Sequence, residues 1–141
     1  MEHLPEFISN HIILCGGLVA VLVMLFKAEM DHQVSKAFQL SPVNAIRMMN
    51  NDETLLIDVR ESAEYSRGHI ENATNVPLSS LKEKLNDFVK YKDKSVLAYC
   101  ASGSTSGRAC KILKHAGFAN VHNLQGGLGS WQDAKLPITK K

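Results

Sequence analysis

Cysteine is scarce in this sequence, and its scarcity narrows the class of protein. The 141 residues include three cysteines, Cys15, Cys100 and Cys110. An odd number without paired spacing predicts neither a disulfide framework nor a zinc site, so no metal and no cofactor are expected. Unpaired thiols of this kind favour a reducing compartment.

Blocks of one charge are also missing. The 16 Lys and Arg residues are interleaved with 14 Asp and Glu residues, and the formal net charge is +2. This pattern does not form the basic patch that neutralises phosphates, so no nucleic-acid partner is predicted. The length and a hydrophobic content of 45% fit one compact domain plus an appendage.

The appendage is the one long hydrophobic run of the chain. Positions 7–26 read FISNHIILCGGLVAVLVMLF, twenty residues without a formal charge. As a helix this run would be about 30 Å long, which is the thickness of the hydrocarbon core of a bilayer. The sequence therefore predicts a short N-terminal segment at 1–6, a single transmembrane helix at 7–26, and a charged spacer at 27–39 that continues the helix for two or three turns.

Two other interpretations of this run agree less well with the sequence. A cleaved signal peptide would need a positive segment before the run, where Glu2 and Glu6 lie, and a small-residue cleavage site after it. A buried core helix is unusual when a helix is apolar all round in a small domain. Because Lys27 and Lys36 follow the run and no basic residue precedes it, the positive-inside rule predicts a single-pass protein of the inner membrane whose C-terminal part faces the cytoplasm.

From position 40 onward, short apolar runs alternate with helical periods. Strands are predicted at 54–60, 73–78, 95–100 and 120–124, with Gly126-Gly127 as a turn. One helix is predicted after the Ser41 N-cap up to 50–52, and a short one from a Ser62 cap to Gly68. A third helix is predicted from the apolar spacing of Leu81, Leu85, Phe88 and Val89. A fourth is predicted from the spacing of Ala109, Ile112, Leu113 and Ala116, and it ends at Gly117.

Strands separated by helices predict a three-layer α/β domain with a central parallel sheet, here over 40–136, followed by a tail at 137–141. Ligands of such sheets bind beyond the carboxyl ends of the strands. Cys100 lies at one such end, and Asp58 and Arg60 lie at another.

The stretch YCASGSTSGRAC around Cys100 has the composition of a cradle for a thiolate. The backbone N–H groups at a helix N-terminus lower the pKa of a nearby thiol, and the loop after Cys100 leads into a predicted helix. Gly103 can adopt the positive φ that a tight curl needs. The other residues are small or carry hydroxyl donors that also suit a helix cap: Ala101, Ser102, Ser104, Thr105 and Ser106. Cys110 lacks CxxC spacing and is interpreted as a buried structural residue.

Three segments carry a family resemblance: LLIDVRESAEYSRGHIENATNVPL, YCASGST and HAGFANVHNLQGGLGSW. Together they resemble a single-domain rhodanese from about position 40 to 136, and with the apolar run the chain is similar to membrane-anchored bacterial rhodanese-like proteins. The resemblance implies a sulfurtransferase that holds sulfane sulfur as a persulfide on Cys100, within the loop from Cys100 to Thr105. It implies a sulfane-sulfur donor such as thiosulfate or a persulfide, and a thiol acceptor. It also implies that Asp58 and Arg60 form a mainly structural charge network with Glu64 or His69.

Two departures from the family pattern bear on the substrate. Many members that use thiosulfate have arginine where this chain has Ala101, and many others have a basic residue in place of Thr105. A loop without a cation attracts a dianion weakly, which favours a persulfide as donor. A phosphatase of the Cys-x5-Arg type is disfavoured because Ser106 occupies the arginine position. A membrane-tethered binding module that recruits a membrane-protein partner, with little sulfur transfer, stays open as the alternative.

Overall fold

The computed structural model describes residues 4–51 and 53–140, and the chain forms two compact units, 1–37 and 38–141. The first unit contains α1 (Leu4–Asn10) and α2 (Ile12–Ala37). Within α2, Ile12–Met30 has a mean hydropathy of 2.2 and is not buried against the rest of the chain. This helix has the length and composition of a membrane span or of a signal sequence. It continues through the predicted spacer to Ala37, two residues before the predicted end of that spacer.

The second unit is built on a five-stranded sheet in which every neighbouring pair of strands is parallel. The strand order is β1-β5-β4-β2-β3. The strands are β1 (Gln39–Leu40), β2 (Thr54–Asp58), β3 (Thr74–Asn75), β4 (Ser95–Tyr99) and β5 (Asn120–Leu124). The helices are α3 (Pro42–Asn51), α4 (Ser62–Arg67), α5 (Leu81–Lys84), α6 (Ser104–His115) and α7 (Gly127–Asp133), with 3₁₀ helices at Leu78–Ser80 and Leu85–Tyr91.

A hydrophobic core lies on each face of the sheet, because successive side chains of a strand point to opposite sides. On one face Ile57 and Ala98 pack with Leu81 and Leu113 of the helical layer. On the other face Leu56, Leu97 and Leu124 pack with Ala45 and Trp131. The α/β class and the central parallel sheet between two helical layers are therefore confirmed.

The segment after Leu81 differs from the predicted amphipathic α-helix. The α-helix ends at Lys84, and a 3₁₀ helix continues to Tyr91. Three residues per turn place Leu85, Phe88 and Tyr91 on the same side, and all three pack against the core. Val89 is turned outward and is 49% exposed, so its predicted place in the core was wrong.

One smaller prediction about an element end was also wrong, and a second was incomplete. Ser62 does not cap α4: Glu61 occupies the N-cap position, and the Ser62 hydroxyl donates to Asn75 Oδ1 at 3.0 Å. Gly126-Gly127 is more than a turn, because Gly126, with φ 73°, begins the unpredicted helix α7. The predicted Ser41 cap is confirmed, since the Asn44 N–H donates to its hydroxyl at 3.4 Å.

Candidate active site

Cys100 follows β4 at the carboxyl edge of the sheet, beside the end of β2. Its side chain is only 3% exposed, yet it lines an open cleft of about 530 Å³. The cleft is lined by the loop residues Ala101, Ser102 and Thr105 and by Arg60, Glu61 and Glu64. A small reactant can therefore reach the sulfur while most of its surface is shielded from water.

The Cys100 sulfur accepts hydrogen bonds from the backbone of Gly103 and from the side chain of Ser106. The backbone N–H of Gly103 lies 3.0 Å from Sγ, and the hydroxyl oxygen of Ser106 lies 3.3 Å from it. Gly103 is in the left-handed conformation, with φ 93°, and begins α6 as its N-cap residue. This curl turns the start of the helix toward the sulfur, as the sequence predicts for this glycine.

Burial and hydrogen bonding act in opposite directions on the Cys100 thiol. Burial alone raises the pKa of Cys100, because it disfavours the charged thiolate. The Ser106 hydroxyl and the backbone N–H groups of Ser106, Ser102 and Gly103 stabilise the thiolate and lower the pKa. The donors outweigh burial, so the net pKa lies below the ordinary value.

The predicted loop residues differ in their relation to the sulfur. Ala101 and Ser102 are exposed and Thr105 is half-buried, and all three line the cleft. Ser104 is exposed in the first turn of α6. Across residues 4–51 and 53–140, the side-chain hydroxyl that reaches Sγ is that of Ser106 and not that of Thr105. The helix cap is the backbone of Gly103, without a side-chain hydrogen bond. The role of these residues in substrate binding stays a prediction.

Asn123, at the end of β5, is a member of the site that the sequence analysis missed. Its Oδ1 lies 2.6 Å from the Ser106 hydroxyl oxygen, and its Nδ2 donates to the Gly103 carbonyl at 2.9 Å. Asn123 is only 4% exposed. The available signal was a polar residue near the carboxyl end of a strand, at the edge of a parallel sheet where Cys100 was also predicted to lie.

The start of α7 holds the loop through backbone hydrogen bonds. The backbone N–H of Leu128 donates to the Cys100 carbonyl at 2.8 Å, and that of Gly129 donates to the Ala101 carbonyl at 3.1 Å. Gly127 approaches so closely that a Cβ there would lie 2.4 Å from the Cys100 carbonyl oxygen. Only glycine fits this contact. The close approach to the Cys100 backbone therefore explains why position 127 is glycine, a residue that made α7 hard to predict from the sequence.

Asp58 and Arg60 form the ion pair that the sequence predicts. Arg60 Nη2 lies 2.7 Å from Asp58 Oδ2, and Arg60 Nε donates to Asp58 Oδ1 at 3.0 Å. Burial lowers the pKa of Arg60, but the hydrogen bond and charge of Asp58 outweigh it and raise the pKa. The same Nη2 donates to the Gly68 carbonyl at 2.7 Å, so the pair ties β2 to the end of α4.

Of the two predicted partners of this pair, Glu64 or His69, His69 lies outside the ion pair. Its Nδ1 lies 2.8 Å from the Tyr65 carbonyl oxygen, and its ring stacks on Tyr65 with centroids 3.7 Å apart. Glu64 lines the same cleft as Arg60 and interacts with it through charge, without a contact as close as that of Asp58. Any role of Asp58 and Arg60 in sulfur chemistry stays a prediction.

Cys110 has a different environment from Cys100. It lies in α6, is 4% exposed, and its S–H donates to the His122 carbonyl at 3.4 Å. Burial raises the pKa of Cys110 to about 12. A thiol held in this protonated form packs as a small apolar residue, which agrees with the structural interpretation.

Comparison with known proteins identifies the family of the domain that carries this cysteine. The family model described as "Rhodanese-like domain" matches residues 41–134. The match covers well over half of the chain, which therefore belongs to the family of rhodanese-like domains.

Relatives of this chain carry different names and match different shares of their own length. The uncharacterized protein YibN of Escherichia coli K12 is 28% identical over 99% of both chains. A sulfurtransferase of Allochromatium vinosum is 35% identical over 65% of this chain and 84% of its own. A tRNA uridine(34) hydroxylase of Escherichia coli is 34% identical over 74% of this chain but 32% of its own. Among solved structures, a rhodanese-related protein of Thermoplasma volcanium superposes with a TM-score of 0.66 at 28% identity, covering 73% of this chain and 98% of that one.

Proposed function

We propose that this protein is a sulfurtransferase that carries sulfane sulfur as a persulfide on Cys100 and delivers it to a thiol acceptor. The observation that supports this most directly is the Cys100 sulfur itself. It lies on an open cleft, receives hydrogen bonds from the Gly103 N–H and the Ser106 hydroxyl, and has a lowered pKa. These are the properties of a nucleophile that is used as its thiolate.

The transfer takes place in two displacements. The Cys100 thiolate attacks the sulfane sulfur of the donor, the donor's sulfur–sulfur bond breaks, and the leaving group departs with the electron pair. The acceptor thiolate then attacks the outer sulfur of the persulfide, and the Cys100 thiolate leaves. Negative charge stays on sulfur in both steps, and the N–H groups of the loop from Cys100 to Thr105 stabilise it. Neither step requires an external oxidant or reductant.

The charges at the cleft favour a persulfide as donor over thiosulfate. Ala101 and Thr105 bring no cation, and the positive charge of Arg60 is matched by Asp58. Glu61 and Glu64 also line the cleft and add negative charge to its wall. A dianion is repelled by such a wall more strongly than a singly charged persulfide.

The apolar helix is proposed as the anchor of this activity. Ile12–Met30 has the composition of a span, and the basic residues Lys27 and Lys36 follow the predicted span at 7–26. On the positive-inside rule the domain faces the cytoplasm from the inner membrane, where reduced thiols can act as acceptors. The anchor also places the domain close to any partner in the membrane.

A membrane-tethered binding module is the second candidate, because the loop lacks the basic residues of many thiosulfate-using members. Intact-mass analysis of the purified full chain after treatment with thiosulfate or with a polysulfide separates the two functions. The proposal expects a gain of one sulfur atom in the wild type and in the matched control Cys110→Ser, and none in Cys100→Ser. A wild-type protein that gains no sulfur from either donor would favour the binding module.

A further inference from the structure

The Ser106 hydroxyl faces two hydrogen-bond acceptors but has one proton to donate. Its oxygen lies 2.6 Å from Asn123 Oδ1 and 3.3 Å from the Cys100 sulfur. The amide of Asn123 cannot be turned around to relieve this, because its Nδ2 already donates to the Gly103 carbonyl at 2.9 Å. Both Ser106 and Asn123 are buried, so water does not supply the missing proton.

The protonation state of Cys100 decides how this conflict is resolved. When Cys100 is a thiol, its S–H donates to the Ser106 oxygen, and the Ser106 O–H donates to Asn123, so every group is satisfied. When Cys100 is a thiolate, two arrangements are possible. If the Ser106 O–H donates to the sulfur, Asn123 Oδ1 has no donor. If the Ser106 O–H donates to Asn123 Oδ1, the thiolate keeps only the backbone N–H groups. In both arrangements, the presence of Asn123 Oδ1 makes the thiolate less favourable.

We propose that Asn123 is a positioning residue that competes with Cys100 for the Ser106 proton and thereby restrains ionisation of the nucleophile. Its two hydrogen bonds have opposite consequences. The bond from Nδ2 to the Gly103 carbonyl holds the loop in the curl that aims the Gly103 N–H at the sulfur. The bond accepted by Oδ1 holds back the hydroxyl proton. This inference deepens the proposed function, on which it rests for the importance of the thiolate.

Other groups that face Cys100 keep their charges when Asn123 is replaced. Arg60, Glu61 and Glu64 line the cleft from the end of β2 and from α4, and Cys110 interacts with Cys100 from α6. These groups contribute equally to variants that differ only at positions 106 and 123. Differences between such variants therefore report the hydroxyl proton.

The test is the pH profile of Cys100 alkylation by iodoacetamide in the full chain, with the labelled cysteine identified by peptide mass analysis. Asn123→Ala is expected to lower the pKa of Cys100 and to raise its labelling rate at pH 6 by about threefold to tenfold, because the Ser106 proton is freed for a charged acceptor. In a Ser106→Ala background, Asn123→Ala is expected not to lower the pKa. Asn120→Ala, at the opposite end of β5, is the matched control and is expected to leave the profile unchanged.

The sign of the shift separates this role from a merely structural one. Losing the Nδ2 bond to Gly103 can only loosen the loop and raise the pKa of Cys100. An unchanged or raised pKa in Asn123→Ala, or the same fall with and without Ser106, would overturn the proposal. Should Asn123→Ala not fold, Asn123→Ser removes the same amide oxygen and is expected to lower the pKa in the same way. Persulfide formation is measured separately by mass, so failure of the sulfurtransferase proposal and failure of this inference give different results.

Discussion

Cys100 and Cys110 lie ten residues apart in one strand-loop-helix unit, both nearly free of solvent contact, yet their thiols have opposite properties. Cys110 lies in α6, where the helix backbone bonds to itself, and burial raises its pKa to about 12. Cys100 lies in front of the same helix, where unpaired N–H groups converge on its sulfur and lower its pKa. Burial thus does not decide whether a cysteine is reactive. The number of hydrogen-bond donors that reach the sulfur decides whether these cysteines are reactive.

The largest expected effect is the difference in reactivity between the two thiols of the folded protein. At a given pH below both pKa values, each unit of pKa changes the thiolate fraction tenfold. Burial raises the pKa of Cys110 to about 12, whereas the hydrogen-bond donors of the loop lower the pKa of Cys100 below its ordinary value. Site-resolved alkylation at pH 6 is expected to label Cys100 at least about 100-fold faster. Similar labelling rates for both thiols would break the comparison.

Displacing one donor from the sulfur is expected to bring Cys100 toward the behaviour of Cys110. Gly103→Ala places a side chain at φ 93° and a Cβ 3.3 Å from the Leu124 carbonyl oxygen, so the loop must shift. We expect a loss of about 1–2 kcal/mol in stability and an alkylation rate for Cys100 lowered about tenfold at pH 6.5.

Gly107→Ala is the matched control for this substitution. Gly107 lies within α6, and its added Cβ would be at an ordinary 3.6 Å from Asn123 Nδ2. Alanine favours the helix by up to about 1 kcal/mol there, and labelling of Cys100 should keep its wild-type rate. A loss of rate in Gly107→Ala equal to that in Gly103→Ala would argue against a specific role of the Gly103 N–H.

The pH dependence of stability should also have opposite signs for the two cysteines. The unfolded thiol of Cys110 has a pKa of about 8.5, whereas burial raises the pKa of the folded thiol to about 12, so rising pH favours the unfolded state. The cost of Cys110→Ala in free energy of unfolding should therefore shrink by about 1 kcal/mol between pH 7 and 9.5.

Cys100→Ala should show the reverse trend in the same denaturation measurement. The folded pKa of Cys100 is lowered, so its contribution to stability is present above the unfolded pKa and is lost as the pH falls through the folded pKa. Its cost should grow over the window in which that of Cys110→Ala shrinks. Parallel trends for the two variants would contradict the opposed pKa shifts.

The smallest expected effect tests whether charges at the cleft act on substrates of Cys100. Glu64→Gln removes one negative charge from the wall of the cleft. The rate of sulfur loading from thiosulfate should rise about twofold to threefold at low ionic strength, and the gain should fade in high salt. Glu83→Gln, in α5, is the control and should leave the rate unchanged. A gain that persists in high salt would point to a cause other than charge.

Much of the cradle could be predicted because it depends on local chemistry. A cysteine at a strand end, a glycine three residues later and a helix beyond are consecutive in sequence, and the structure places Gly103 at positive φ as expected. The parallel sheet followed from short apolar runs separated by helical periods. These features require no knowledge of distant contacts.

The features that were missed depend on distant contacts. Asn123 contacts Ser106 from a position 17 residues away in sequence, so the neighbouring residues of Asn123 do not reveal this contact. Val89 was assigned to the core on a period of 3.6 residues, whereas the segment is wound at three. Gly127 is a poor helix former by propensity, so α7 was not predicted. The first residue of α7 is nevertheless glycine, because the Cys100 carbonyl leaves no room for a side chain.

The contact of Gly127, Leu128 and Gly129 with the backbone of Cys100 and Ala101 also has a consequence for the order in which the protein matures. A nascent chain that has been translated only as far as Asn123 already contains the nucleophile and its donors. It still lacks the residues whose N–H groups hold the carbonyls of Cys100 and Ala101. The carbonyls of Cys100 and Ala101 therefore gain these two backbone partners only in a folded chain that extends through Gly129.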